Sequence, residues 1–355
     1  MKNLVLLLLM IIIWGCDHKE PTTKPHIIYI LADDLGWGDL ESYNPDSRIP
    51  TPNMDQLAAG GMRFNDMHSP SAVCTPTRYG ILTGRYAWRS PLKKGVLWGY
   101  SQPLIETERE TVASLLHNNG YYTACVGKWH LGLPWQVRDE AEKTLVGKRE
   151  NTIINQPLGA GGPNDLGFDY FYGIPASLDM DPYCFIENNQ PVVYPTDSVA
   201  GMSRSDAYNE GFWRAGPASP AFDFQQVLPH LTQKALEIIK LNLGKDKPLF
   251  LYFPLTAPHT PWVPTENYRG KSKAGKYGDF VVMVDAVVGQ IVDALREENQ
   301  LKNTIIIVTS DNGSHMDYQD TSRYHHYSNA HWRGQKADIH EGGHRVPFIV
   351  HWPER

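Results

Sequence analysis

The sequence predicts an α/β fold, a mostly parallel central sheet with helices on both faces. Three observations predict it. Short, near-continuously apolar, β-rich runs recur along the chain, amphipathic helical segments separate them, and the chemically distinctive polar residues gather at their carboxyl ends. Strands buried on both faces read as unbroken apolar runs, and parallel neighbours need a crossover that is usually a helix. With 355 residues, 41% hydrophobic and 20% charged, the chain can bury one large core. Its 30 glycines and 26 prolines then belong to ordered loops, because 18 tyrosines and 10 tryptophans give those loops something to bury. A formal charge of −6 provides no basic footprint, which argues against a nucleic-acid partner.

The first sixteen residues, "MKNLVLLLLMIIIWGC", form a separate object. Lys2 precedes an apolar run from Leu4 to Trp14, too short to span a bilayer but suited to an export signal. Gly15-Cys16 resembles a bacterial lipoprotein cleavage point, although Trp14 departs from the usual small residue, so cleavage without lipidation stays open. The expectation is an exported protein of the periplasm or cell envelope, lipid-anchored through Cys16 if that residue is lipidated. A polar linker spans 17–25, and the folded body runs from 26 to 355.

Within that body, "HIIYILADD" (His26–Asp34) is the first predicted strand. "YYTACVGKWH" (Tyr121–His130) follows the helical "TVASLLHNNG". "KPLFLYFPLTAPH" (Lys247–His259) follows "HLTQKALEIIKLNLG", whose Leu231, Ala235, Ile238 and Ile239 share one helical face. "NTIIIVTSDNG" (Asn303–Gly313) follows "DFVVMVDAVVGQIVDALREENQ", and "VPFIVHWP" (Val346–Pro353) is the last run. The stretch from Gln136 to Asp223 is poor in periodicity and rich in Gly, Pro, Asn and Tyr, so it reads as an excursion from the sheet.

Open parallel sheets bind ligands beyond the carboxyl ends of their strands. Here those ends carry Asp33-Asp34, Lys128-Trp129-His130, His259 and Asp311-Asn312. Turns favour Asp and Asn at any one end, but turns do not require Lys-x-His. Asp33, Asp34, Asp311 and Asn312 are hard oxygen ligands suited to Ca²⁺ or Mg²⁺ rather than zinc, and a mixed carboxylate–amide shell favours calcium. Arg78, Lys128 and Lys336 supply positive charge for an anionic substrate.

Cys74 stands at the start of "CTPTRYGILTGR", where Pro76 suits a first helical turn and Gly84 a stop. A helix N-terminus, Arg78 one turn in and a metal would together receive a negatively charged tetrahedral group. Setting Cys16 aside leaves Cys74, Cys125 and Cys184, of which either two pair or all three are free.

"CTPTRYGILTGR" resembles the signature of the formylglycine-dependent sulfatases, in which Cys-x-Pro-x-Arg is read by a maturation enzyme. "IIYILADDLGWGDL", "TPNMDQLAAGGMRF", "GYYTACVGKWHLG", "GFDYFYGIP", "TAPHTPW", "IIIVTSDNGS" and "RGQKADIHEGGHRVPFIV" resemble the same family in its order. The whole looks like the arylsulfatase A-like branch of the alkaline phosphatase superfamily. The resemblance implies hydrolysis of sulfate esters, with one Ca²⁺ held by Asp33, Asp34, Asp311, Asn312 and position 74. Cys74 would be oxidised to Cα-formylglycine, whose hydrate attacks sulfur in line and then collapses to expel sulfate. Arg78 and Lys128 would stabilise that residue, and His130 would act as its base. His259 and Lys336 would bind the sulfate oxygens, His259 also as general acid to the leaving oxygen.

Two departures accompany the match. Thr77 stands where many members have Ser, and a hydroxyl is kept. The family's small C-terminal antiparallel subdomain has no counterpart before the end at "HWPER", so the expectation is a C-terminally truncated catalytic domain. A sulfated polysaccharide or oligosaccharide is the expected substrate, on the lipid anchor and the aromatic-rich loops. A phosphate or phosphonate ester hydrolase of the same superfamily and an inactive glycan-binding surface lipoprotein are the alternatives. His315, His325, His326, His331, His340 and His344 crowd together, yet none has a paired spacing beside a second acid that argues for zinc. His340 and His344, near Lys336, are candidate substrate contacts. Asp179, Asp181, Tyr183, Trp213 and Trp262 are candidate sugar contacts, weighed against ordinary loop packing.

Overall fold

The computed structural model describes residues 24–202, 212–316 and 318–354. The expected export signal and Cys16 lie outside the described residues. Nine strands form the main sheet: β1 (His26–Asp33), β2 (Met62–Phe64), β3 (Tyr122–Lys128), β4 (Tyr170–Ile174), β5 (Ile186–Glu187), β6 (Gln190–Pro191), β7 (Leu249–Pro258), β8 (Thr304–Ser310) and β9 (Phe348–His351). Their order is β2-β9-β8-β1-β7-β3-β4-β5-β6. The central five, β8 to β4, are parallel, and antiparallel strands finish both edges.

Among the described residues, the sheet is attended by seven α-helices: α1 (Pro52–Ala59), α2 (Cys74–Thr83), α3 (Val112–Asn118), α4 (Val227–Asn242), α5 (Gly275–Glu297), α6 (Tyr318–Tyr324) and α7 (Glu341–His344). Alternation along β1 explains the layers. Ile28 and Ile30 face one way and join Met54 and Leu57 of α1, Leu231 and Ile239 of α4, and Phe280 and Val288 of α5 in one core. Leu31 faces the other way and joins Tyr79 and Leu82 of α2 and Ala113 of α3 in a second core. Burial on both faces is what allows the run to be continuously apolar. The predicted face of α4 is the buried one, Leu231, Ala235, Ile238 and Ile239 included.

Two expectations need correction. "VPFIVHWP" does not continue the parallel pattern: β9 runs antiparallel to β8, with Ile306 opposite His351 and Thr309 opposite Phe348. No long crossover helix separates the two strands, so the chain folds back from the end it has just reached. The region 136–223 is not wholly an excursion either, because β4, β5 and β6 extend the sheet beyond β3. These strands are two to five residues long and follow turns rather than a periodic helix, so the pattern that marks the central strands is missing.

Four side-by-side parallel strands decide the site. Because β8, β1, β7 and β3 are adjacent and parallel, their carboxyl ends open on one rim. Gly127 allows β3 to close up there. Its φ is +139°, and a Cβ would stand 1.9 Å from the Pro254 carbonyl oxygen.

Candidate active site

β1 ends in Asp33, and Asp34 follows in the left-handed region at φ 70°. Asp311 and Asn312 leave β8, Lys128 ends β3, and His259 follows β7. Cys74 is the first residue of α2, where the first-turn N–H groups have no intrahelical partner. Arg78, one turn later, lies on the same helical face. Gly84, at φ 63°, ends the helix by returning its N–H to the Gly80 carbonyl at 2.9 Å. Ligand atoms of Asp33, Asp34, Cys74 and His259 lie within 4.8 Å of one another. The rim therefore brings together the residues predicted for the metal, the nucleophile and the charges around them.

The contacts form a closed charge network. Arg78 donates from Nε and Nη2 to Asp311 Oδ2 at 3.0 and 2.7 Å, and from Nη1 to the Lys128 carbonyl at 2.9 Å. Lys128 Nζ reaches Asp33 Oδ2 at 2.7 Å. Lys336 Nζ reaches Asp34 Oδ1 and Oδ2 at 2.7 and 2.8 Å, and Asn312 Nδ2 donates to Asp34 Oδ1 at 2.7 Å. His259 donates from Nδ1 to the Thr260 carbonyl, which turns Nε2 toward Asp34 Oδ2, 3.8 Å away. His130 donates from Nε2 to the Leu97 carbonyl at 2.8 Å and keeps a buried Nδ1 with no hydrogen-bond partner. Thr75 ties the helix start to this residue, its hydroxyl donating to the His130 carbonyl at 3.0 Å. Thr77, the substituted position of the signature, donates its hydroxyl to the Ser71 carbonyl at 2.9 Å.

Two oxygens test whether a cation fits. Asp33 Oδ1 and Asn312 Oδ1 are buried and without a hydrogen-bond partner, and Arg78 approaches the former only to 3.5 Å. Unpartnered buried oxygens cost about 1–3 kcal/mol each, and a hard cation would satisfy both. Both unpartnered oxygens are hard donors, one carboxylate and one amide, so calcium suits them better than a soft metal.

The electrostatics follow from burial and pairing. Burial would raise Asp33, but Lys128, His259, Arg78 and Lys336 outweigh it and hold the carboxyl well below its usual range. Asp311 is pushed up to about 6, first by burial and then by the neighbouring Asp33 carboxylate. His130 lies well below the ordinary imidazole range, through burial and then the charges of Lys128 and Arg78, so it is neutral at pH 7. Burial also lowers His259, aided by Lys336. The Cys74 thiol is pushed up to about 11, mainly by burial, against the pull of Lys128 and Lys336. At neutral pH Cys74 is a protonated thiol, a poor nucleophile.

A family model described as Sulfatase matches residues 25–355. The chain belongs to the sulfatase family. An N-acetylgalactosamine-6-O-sulfatase of Bacteroides thetaiotaomicron is 34% identical, over all of this chain and 75% of its own length. Human arylsulfatase A is 33% identical, over 93% of this chain and 59% of its own length. A solved structure from work on glycosaminoglycan metabolism by Bacteroides thetaiotaomicron superposes with a TM-score of 0.79 at 33% identity, covering 93% of this chain and 72% of that one. The sulfatase thus spans three quarters of one curated relative and less than two thirds of the other.

The remaining candidates of this sulfatase divide. Asp181 pairs with Arg149 at 2.7 Å and accepts from the Tyr100 hydroxyl, while Asp179 pairs with Arg214 at 2.5 Å. Both are buried beside the Leu97–Tyr100 segment that also takes the His130 hydrogen bond. Tyr183 donates to the Arg214 carbonyl at 2.7 Å, and Trp213 stacks on Phe224 at 4.4 Å, as packing residues do. Trp262 is buried against Tyr277, and His326 is buried with Nε2 on Asp39 at 2.8 Å, so neither faces the site. Cys74, Cys125 and Cys184 are all free thiols, which settles the pairing question among the described residues. Sequence reasoning missed Thr75 and Leu97, which hold His130 through a hydroxyl and a backbone carbonyl. A carbonyl carries no residue-type signal, and a threonine in a helix start is unremarkable by pattern alone.

Proposed function

We propose that this chain hydrolyses sulfate monoesters on sulfated polysaccharides or oligosaccharides, with Cys74 matured to Cα-formylglycine and one Ca²⁺ beside it. The carrying observation is Cys74 itself: a buried, protonated thiol at a helix N-terminus, facing carboxylates and lysines. That environment disfavours a thiolate and suits a nucleophile bearing hydroxyls. An aldehyde at position 74, once hydrated, supplies such a hydroxyl. Asp33, Asp34, Asp311 and Asn312 would hold the calcium, which supplies Lewis acidity toward an ester oxygen.

The chain's own side chains do the rest. Three carboxylates are balanced by Arg78, Lys128 and Lys336, so a divalent ion leaves the rim with about two positive charges for an anionic ester. Arg78 and Lys128 fix the carboxylates and the α2 N-terminus, and Lys336 is the cation nearest solvent, with 15% of its side chain exposed. The unpartnered Nδ1 of neutral His130 is placed by its Nε2–H bond to accept a proton from the hydrated residue. His259 Nε2 is free to bear the proton that the leaving alkoxide requires. The glycan assignment is supported by a relative named for N-acetylgalactosamine 6-O-sulfate chemistry and by the glycosaminoglycan context of the solved neighbour. On the sequence reading of residues 1–16, the enzyme works in the cell envelope.

The test is turnover of aryl sulfate and aryl phosphate by the full chain co-expressed with a maturase, followed by defined sulfated saccharides. Sulfate should win by a large factor, and the peptide bearing position 74 should weigh about 18 Da less than its cysteine form. Preference for phosphate would make the chain a phosphoester hydrolase. An unshifted peptide with no turnover would leave the inactive glycan-binding reading.

A further inference from the structure

We propose that His68, His344 and Glu341 form a zinc site, separate from the oxygen-lined rim, that staples the loop before Cys74 to the loop after Lys336. Ligand atoms of these three residues lie within 4.8 Å of one another. Proximity is the weaker half of the case. The stronger half is the way hydrogen-bond partners on the far nitrogens orient the two rings.

His344 Nε2 stands 3.1 Å from the Ile339 carbonyl oxygen, which only accepts, so Nε2 carries the hydrogen. His68 Nε2 stands 2.9 Å from the Asp66 carboxylate, so it too carries the hydrogen. With the hydrogen on Nε2, each ring turns its Nδ1 toward the other, the nitrogen that would take a metal. Those two nitrogens face each other at 2.9 Å. Two acceptors at that distance repel unless a cation lies between or beside them. Carboxylate and carbonyl partners on the far nitrogens are the outer-shell arrangement that fixes metal-binding imidazoles.

Two imidazoles and a carboxylate are a zinc-type donor set, whereas the rim's oxygens select a hard ion. Two tetrahedral ligands at zinc bond lengths stand about 3.3 Å apart, a few tenths of an ångström wider than the present pair. Arg345 orients Glu341, its Nε lying 2.5 Å from Oε2, and also reaches Asp66 at 2.6 Å. A groove of about 550 Å³ bordered by His68, Ser71, Arg85, Tyr86 and His344 leaves the fourth position to water.

The joined segments matter to the rim. His68 precedes Cys74 by six residues, and Glu341 follows Lys336 by five. Backbone bonds already connect them, from Ser69 N to the His344 carbonyl and from Ala337 N to the Ala72 carbonyl, both 2.8 Å. Zinc would add a clamp at the outer edge of that seam.

The experiment is a zinc titration of the full chain kept saturated with calcium, read by calorimetry and thermal unfolding. One equivalent of Zn²⁺ should bind at neutral pH and raise the Tm. His344→Ala and His68→Ala should each abolish that equivalent, and Asp66→Asn should weaken it by about tenfold or more. Cys74→Ser should keep it, which separates this site from the rim and from the proposed sulfatase chemistry. His68→Gln serves as a second variant should the alanine change unfold the loop. The proposal is overturned if the zinc stoichiometry survives both histidine changes. It is equally overturned if no zinc binds and nitrogen-15 shifts show a proton shared between the two Nδ1 atoms.

Discussion

Two site residues, Asp34 and His130, hold left-handed backbone conformations at φ 70° and 57°, which a side chain occupies at a cost. Both are fixed by long-range bonds, Asp34 by Lys336 and Asn312, His130 by Leu97 and Thr75. At this scale the proposed nucleophile makes the plainest prediction. Cys74→Ala should fold normally and lose sulfate-ester turnover by on the order of 10³ or more, measured with an aryl sulfate on matured protein. Retention of more than a few per cent of activity would remove position 74 from the chemistry. Lys128 makes a second. Lys128→Ala removes the nearest cation from the buried Asp33 carboxylate and leaves Arg78 at 3.5 Å, and chemical denaturation in chelator should show a loss of about 3–5 kcal/mol. Added calcium should recover part of that loss, since a cation replaces the missing charge.

Among the elements, α1 begins without a side-chain cap of its own, because Thr51 makes no such bond. Asp285 of α5 performs that task across the core, accepting from Asn53 N at 3.2 Å, Met54 N at 2.8 Å and Asn53 Nδ2 at 2.7 Å. Burial outweighs these bonds and pushes its pKa up to about 6. An acid raised in the fold binds its proton more tightly there than in the unfolded chain. Between about pH 4 and 6 the folded state holds the extra proton, so stability falls as pH rises through that window and levels off above it. In Asp285→Asn that slope should shrink by up to about 3 kcal/mol across the window, the part due to Asp311 remaining, measured by denaturant titration at several pH values. A strand carries another prediction. Gly127→Ala would drive a methyl into the Pro254 carbonyl at an unfavourable φ, and should lower stability by several kcal/mol, seen as a fallen denaturation midpoint.

For the whole molecule, the ends of β1 and β8 each leave a buried oxygen, Asp33 Oδ1 and Asn312 Oδ1, that the proposed cation would satisfy. Removing it couples the chemistry to the fold. Chelation of the full chain should lower the Tm, and calcium at a hundred times its Kd should restore about 2.7 kcal/mol of stability. Because Asp311 is pushed up to about 6, calcium must displace a proton from it below that pH. Calcium affinity should therefore weaken as pH falls through 6, read by calorimetry at pH 5 and 7. A pH-independent affinity would argue that Asp311 is not a ligand.

Strands β1, β3, β7 and β8 and the helices before three of them were legible in the sequence, because burial on both faces writes an unbroken apolar run and strand ends carry polar side chains. Asp33, Asp34, Lys128, His259, Asp311 and Asn312 stood out by residue type and by position after such runs, and Cys74 by its place before a helix start and in the Cys-x-Pro-x-Arg signature. The antiparallel return of β9 and the short strands β4 to β6 were not legible, since direction and pairing belong to the path between elements rather than to the residues within them. Nor was the identity of the partners: that Asp285 caps α1, that Leu97 holds His130, or that His68 meets His344 across 276 residues. The sequence by itself determined which side chains could do chemistry at the sheet's rim. Only the tertiary structure decided which nitrogen keeps its lone pair and which oxygen lacks a partner, because hydrogen-bond satisfaction is a property of three-dimensional neighbours and not of sequence spacing.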